Sequence, residues 1–74
     1  MEQVYIEDKT FNQNDFTKTP FSKGEYEYCI FNNCDFSNTD LSDIKFVECN
    51  FTGCNLSLAH LIKTVFRDVV FRDC

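Results

Sequence analysis

Five cysteines, one histidine and a run of carboxylates are the residues of this chain that could do chemistry. Cys29, Cys34, Cys49, Cys54 and Cys74 recur at intervals of five, fifteen, five and twenty. Thiols in a short chain raise two ideas, a disulfide framework and a metal site. With His60 as the single imidazole, these spacings do not match a metal pattern. Asp40 lies twenty residues before His60 and resembles an acid–imidazole dyad on paper, but a surface pair is the better reading. Two glycines are too few for a phosphate loop. The chain is therefore read as a non-enzyme with no cofactor and no metal. Its net charge is −5, and the acids gather in the middle. Between Glu25 and Glu48, six acids, among them Asp35, Asp40, Asp43 and Glu48, face only Lys45. Such a stretch disfavours direct binding of nucleic acid and favours a basic protein partner.

The elements that hold these residues follow from one register. Ile6, Phe11, Phe16, Phe21, Tyr26, Phe31, Phe36, Leu41, Phe46, Phe51, Leu56, Leu61, Phe66 and Phe71 stand five apart, and all are apolar or aromatic. All nine Phe fall on these centres, and all five Cys fall two residues before one. A step of five makes no stripe on a helix, and on a flat strand it alternates faces. The centres can share one interior only if the chain turns a corner in every block. Repeated corners give a solenoid whose successive coils pair as parallel strands. The register alone does not say how many sides a coil has.

The blocks Cys34-Asp35-Phe36-Ser37-Asn38, Thr39-Asp40-Leu41-Ser42-Asp43 and Cys54-Asn55-Leu56-Ser57-Leu58 resemble the pentapeptide-repeat family. The likeness is close from Cys29 to Leu56 and looser on either side. It implies an all-β fold, a right-handed quadrilateral β-helix with four blocks and twenty residues per coil, and little or no helix. The centres and the residues two before them would point inward. On this reading 1–74 is a single solenoid of about 3.7 coils. Residues 1–28 form a less regular first coil or cap, with Pro20 and Gly24 as interruptions and a bulge near Ser22–Gly24. Residues 29–58 are ideal repeats, and 59–74 form a last coil with an apolar outside. Lys9 and Asn14 fall at inward positions.

Stacking by twenty makes further expectations. Cys29 lies under Cys49, and Cys34 under Cys54 and Cys74. Thiols stacked in parallel have poor geometry for a disulfide, so all five are expected free and buried, as small hydrophobes, with Cys74 in the last block the one exception to burial. Outward residues form columns: Asn12, Asn32 and Thr52 as a polar ladder, Lys23, Asp43 and Lys63 in alternating charge, Glu25 under Lys45, and Asp40 under His60. Met1 to Thr10 is polar and acidic, and no apolar run reaches membrane-spanning length, so a cytoplasmic protein with no membrane contact is expected.

Two functions fit these features. Leu58, Ile62, Val65 and Val70 fall at outward positions near Phe71, beside an open parallel edge. Such an edge is a template for pairing. The expectation is a structural or protein-binding module, either a fragment or engineered piece of a longer chain or one that forms a homodimer through its C-terminal coils. The alternative comes from the resemblance. Quinolone-resistance members of the family look like acidic rods that imitate duplex DNA and bind a topoisomerase such as gyrase.

Overall fold

The computed structural model describes residues 3–74. Eight short strands build two parallel sheets: β1 (Val4–Glu7), β2 (Thr10–Asn12), β3 (Gly24–Glu27), β4 (Ile30–Asn32), β5 (Lys45–Val47), β6 (Asn50–Thr52), β7 (Val65–Arg67) and β8 (Val70–Arg72). One sheet has the order β1-β3-β5-β7 and the other β2-β4-β6-β8. Every pairing joins residues twenty apart, as in Ile6 with Tyr26 and Phe31 with Phe51. The described residues contain no helix. The fold is thus a β-solenoid with twenty residues per coil. The first and second sides are strands. The third and fourth sides are turns joined by single bridges, Asp15 with Asp35 and Asn55 on the third and Asp40 with His60 on the fourth.

Each corner has one cause. Asp8, Gln13, Tyr28, Asn33, Asn38, Asp43, Glu48, Leu58, Lys63, Asp68 and Asp73 all have φ between 50° and 62°, and Gly53 has 63°. Every one of them stands two residues after a centre. A left-handed residue turns the chain sharply, and it costs most side chains about 1–2 kcal/mol. Asn and Asp tolerate it best, and they fill six of the eleven non-glycine corners.

The interior is a set of ring columns. Phe11, Phe31, Phe51 and Phe71 stack with centroids 4.8, 4.7 and 5.1 Å apart. Tyr26, Phe46 and Phe66 stack at 5.5 and 5.4 Å. These spacings follow from the distance between paired strands. Edge-on contacts such as Phe31–Phe36 at 5.6 Å join one column to the next. The residues two before the centres seal the corners of the core. Cys29, Cys34, Cys49 and Cys54 are buried, and Ile44 with them.

The first coil departs from the register in one place. The register puts Phe21 over Leu41 on the fourth side, but no rung forms there, and Lys18 and Lys23 do not take the left-handed corner. The chain instead cuts inward, and the Phe21 ring stacks on Tyr26 at 4.8 Å and meets Phe16 and Phe36 edge-on at 4.8 and 5.3 Å. Phe21 thereby closes one end of the aromatic core. The buried Tyr26 hydroxyl donates to the Ser22 carbonyl at 2.6 Å, so this detour also satisfies the one polar centre. Burial pushes that hydroxyl up to about 12. Regular pairing resumes at Gly24, where φ is 153° and a Cβ would stand 2.0 Å from the Val4 carbonyl oxygen. Only glycine fits there. The inward positions of Lys9 and Asn14 belong to this end coil, and both side chains are exposed, with the Lys9 ammonium 5.5 Å from the Phe11 ring centroid. Neither is buried, because no described rung lies above them.

Candidate functional site

The spacing of the thiols is the strongest chemical signal in the chain. All five are free. Each S–H donates to the carbonyl of the centre one coil earlier and to the carbonyl two residues back. For Cys49 the acceptors are Tyr26 O at 3.2 Å and Val47 O at 3.4 Å. For Cys54 they are Phe31 O at 3.3 Å and Thr52 O at 3.6 Å. Thr64 makes the same bond to Leu41 O at 2.7 Å. A small side chain with one donor is what this position requires. Burial pushes the Cys49 and Cys54 thiols up to about 11 and raises Cys29 and Cys34 in the same direction. A thiol held protonated is neither a nucleophile nor a metal ligand. Cys74 is exposed. Among the described residues no three of His, Cys, Asp and Glu converge on a point that could hold a metal ion.

The acids fall into two groups. Asp35 and Asp40 close turns. Asp35 accepts from the Ser37 amide at 2.9 Å and the Ser37 hydroxyl at 2.7 Å. Asp40 accepts from the Ser42 amide at 3.0 Å, and Asn55 from the Ser57 amide at 3.0 Å. Asp15 caps Thr17 in the same way. The Asx–apolar–Ser/Thr pattern therefore marks the turn sides. Where His60 replaces the Asx, the Ile62 amide turns to the Ser42 hydroxyl at 3.3 Å. The bonds from Ser42, then Lys23 beside it, pull the Asp40 carboxyl down to about 2. Asp40 pairs with Lys23 at 3.4 Å and makes no ion pair with His60, although the two residues are bridge partners along the stack. Lys23 likewise leaves its column with Asp43 to reach Asp40. The polar ladder forms at Asn32, whose amide donates to the Asn12 side chain at 3.0 Å.

Asp35 and Asp40 line one cleft, but Asp35, Asp40, Asp43 and Glu48 do not share one side of the coil. They lie on the third side, on the fourth side, at the corner after it and at the corner after the first side. A different set of acids shares one flank. The column at the corner after the first side reads Asp8, Tyr28, Glu48 and Asp68, all exposed. Glu7 and Glu27 are paired residues beside it, with Glu25 next to them. Lys45 and Arg67 are the cations of this flank. The Tyr5 hydroxyl bonds Glu27, and that bond holds Tyr5 up to about 12. A bond to Glu48 raises Tyr28 as well. Reading the sequence by twenties at two residues past the centre would have shown this column.

The apolar residues read as outward in the last coil are exposed: Leu58, Ile62, Val65 and Val70. The centres Leu61, Phe66 and Phe71, read as inward, are exposed as well, because no described rung stacks beyond. Seven of the ten exposed large hydrophobic residues lie between Leu58 and Phe71, so exposed apolar residues concentrate in the last coil.

A solenoid of five-residue blocks with inward Phe and Leu centres and left-handed corners is a pentapeptide-repeat structure. The family described as pentapeptide repeat region matches residues 24–74, and this chain belongs to it. Among solved structures it is similar to trypsin-treated QnrB1, a plasmid-mediated fluoroquinolone resistance protein, at 30% identity and a TM-score of 0.63. That match covers 90% of this chain and 33% of the other, so this chain spans about a third of its length. No curated protein matches it.

Proposed function

We propose that this chain is a protein-binding repeat module that pairs with a second copy through its C-terminal coil. The observation that carries this is the concentration of exposed apolar residues in the last coil: Leu58, Leu61, Ile62, Val65, Phe66, Val70 and Phe71. Apolar surface gathered at one end of a rod suits an interaction site. Charges nearby nearly cancel, with the three cations Lys63, Arg67 and Arg72 against Asp68 and Asp73, so two copies repel little. Two-fold pairing is the commonest closed arrangement, and it would cover both patches. The test is molar mass by light scattering at micromolar concentration. The parent is expected at twice 8.7 kDa, and Val65→Lys with Val70→Lys as a folded monomer. A monomeric parent, or a double variant that stays dimeric, refutes the pairing.

A second reading rests on the acidic flank. Asp8, Glu48 and Asp68 in one corner column, with Glu7 and Glu27 beside them, give carboxylates that run along the rod. That is the arrangement a duplex imitator needs in order to occupy the DNA groove of a topoisomerase. The QnrB1 likeness supports it. Purified gyrase should then bind the parent and release it when Asp8, Glu48 and Asp68 are made neutral. Equal binding of the neutral variant removes this reading.

A further inference from the structure

The detour of residues 17–23 leaves the fourth side one rung short, and the edge of that side has the form of a peptide site. In the next coil, Leu41 N donates to His60 O at 2.9 Å, Asp43 N to Ile62 O at 3.0 Å, and His60 N to Thr39 O at 2.9 Å. The same pattern one coil earlier would place Phe21 N on Asp40 O, Lys23 N on Ser42 O, and Asp40 N on Thr19 O. None of these bonds forms. The Lys23 ammonium instead donates to Asp40 O at 3.3 Å and to Ser42 O at 2.7 Å. One side chain thus stands in for the two backbone donors of the absent rung. The Asp40 N–H finds no backbone acceptor among the described residues. Beside this edge lies an open cleft of about 580 Å³, whose lining includes Phe16, Pro20, Phe21, Lys23, Thr39 and Asp40.

We infer that this notch binds an extended five-residue segment of a partner protein, which adds the missing rung by parallel strand addition. Main-chain bonds give such a site its affinity, and a side-chain pocket gives it selectivity. The incoming segment supplies two N–H groups to Asp40 O and Ser42 O and one carbonyl to Asp40 N–H. Its middle residue is large and apolar and meets Phe16, Pro20 and Phe21. The residue before the middle is Asn, which closes the turn as Asn55 does without adding charge beside Asp35 and Asp40. The residue after it is Ser or Thr. A second copy of this chain is a poor donor, because its own blocks of this pattern are already bridged within their stack. Lys23 acts as a displaceable plug, since its side chain is partly exposed.

The test is an amide-shift titration of the folded chain with the peptide acetyl-Thr-Asn-Leu-Ser-Asn-amide, against a peptide with Lys in place of Leu. Saturable shifts are expected at Asp40, Leu41 and Ser42, with slower hydrogen exchange at the Asp40 amide. The Lys peptide should bind at least about tenfold more weakly, a loss of about 1.4 kcal/mol. Lys23→Met should bind the Leu peptide more tightly, because the edge carbonyls are then free. If that variant does not fold, the parent titration alone decides. No saturable shift at millimolar peptide overturns the proposal. So do shifts confined to residues 58–71, equal binding of both peptides, or edge shifts that track protein concentration without peptide.

Discussion

Phe36→Ala tests whether the centres are the core. Phe36 is fully buried, and its ring meets Phe16 at 4.9 Å, Phe21 at 5.3 Å, Phe31 at 5.6 Å and Phe51 at 5.8 Å. It belongs to its own column and also joins the second-side column and the Phe21 plug. Collapse around the gap is difficult on one flank, because the paired strands β4 and β6 hold Phe31 and Phe51 at ladder spacing. Removing a buried Phe costs about 3–5 kcal/mol, and poor relaxation places this site toward the upper end. At about 0.05–0.15 kcal/mol per residue, a chain of 74 residues has about 4–11 kcal/mol in all. The variant should lose between a third and all of its stability. Phe71 is the control. It is 43% exposed and stacks on Phe51 at 5.1 Å, with Phe66 edge-on at 5.4 Å. Phe71→Ala should cost about 1–2 kcal/mol, since nearly half of the residue already faces water. Urea unfolding followed by far-ultraviolet circular dichroism reads both. Equal losses, or a Phe36→Ala midpoint unchanged from the parent, would refute the account of the core.

Three further outcomes are expected. A thiol reagent should label the native chain at one fast site, Cys74, and at four slow sites, because Cys29, Cys34, Cys49 and Cys54 are buried with raised pKa. Denaturation should release the full five, and two or more fast sites in the native state would contradict that burial. Asp40 should titrate near 2 by carboxyl carbon shift, and higher in Lys23→Met. Because its folded pKa lies below the unfolded value, the stability it contributes is present above about 3.9 and is lost as pH falls toward 2. An Asp40 midpoint equal to that of an unfolded peptide would remove the turn-capping role. Leu58→Asn should raise stability by about 1 kcal/mol, since Leu58 holds φ at 58° with its side chain exposed. A lower melting midpoint at a concentration where the chain is monomeric would show that Leu58 packs in a way the fold does not display.

The inward residues were legible because burial depends on the five-residue register alone. Twenty residues per coil came from the family likeness, supported by columns such as Asn12 with Asn32. Which sides are strands and which are turns was also written in the chain, but in the residue before each centre. Asp15, Asp35, Asp40 and Asn55 cap turns, whereas Tyr5, Glu25, Ile30 and Lys45 lie in extended strands. Asn50-Phe51-Thr52 matches the turn pattern yet forms β6, because its column neighbours Ile30 and Val70 favour a strand. The fate of Phe21 was not legible. Its position in the register is ordinary, and only the three-dimensional end of the core shows that a ring is needed over Tyr26. The acids of the middle were read in sequence order. The rod sorts them by side, so neighbours in the chain part and residues twenty apart meet.

The two kinds of side constrain how such a chain can change length. Removing five residues would keep every apolar centre inside, so hydrophobicity alone would not oppose it. It would nevertheless slide capped turns onto extended strands from that point onward and break the ladders beyond. Removing or copying twenty residues would leave every column in phase. Inheritance by duplication should therefore favour whole coils over single pentapeptides.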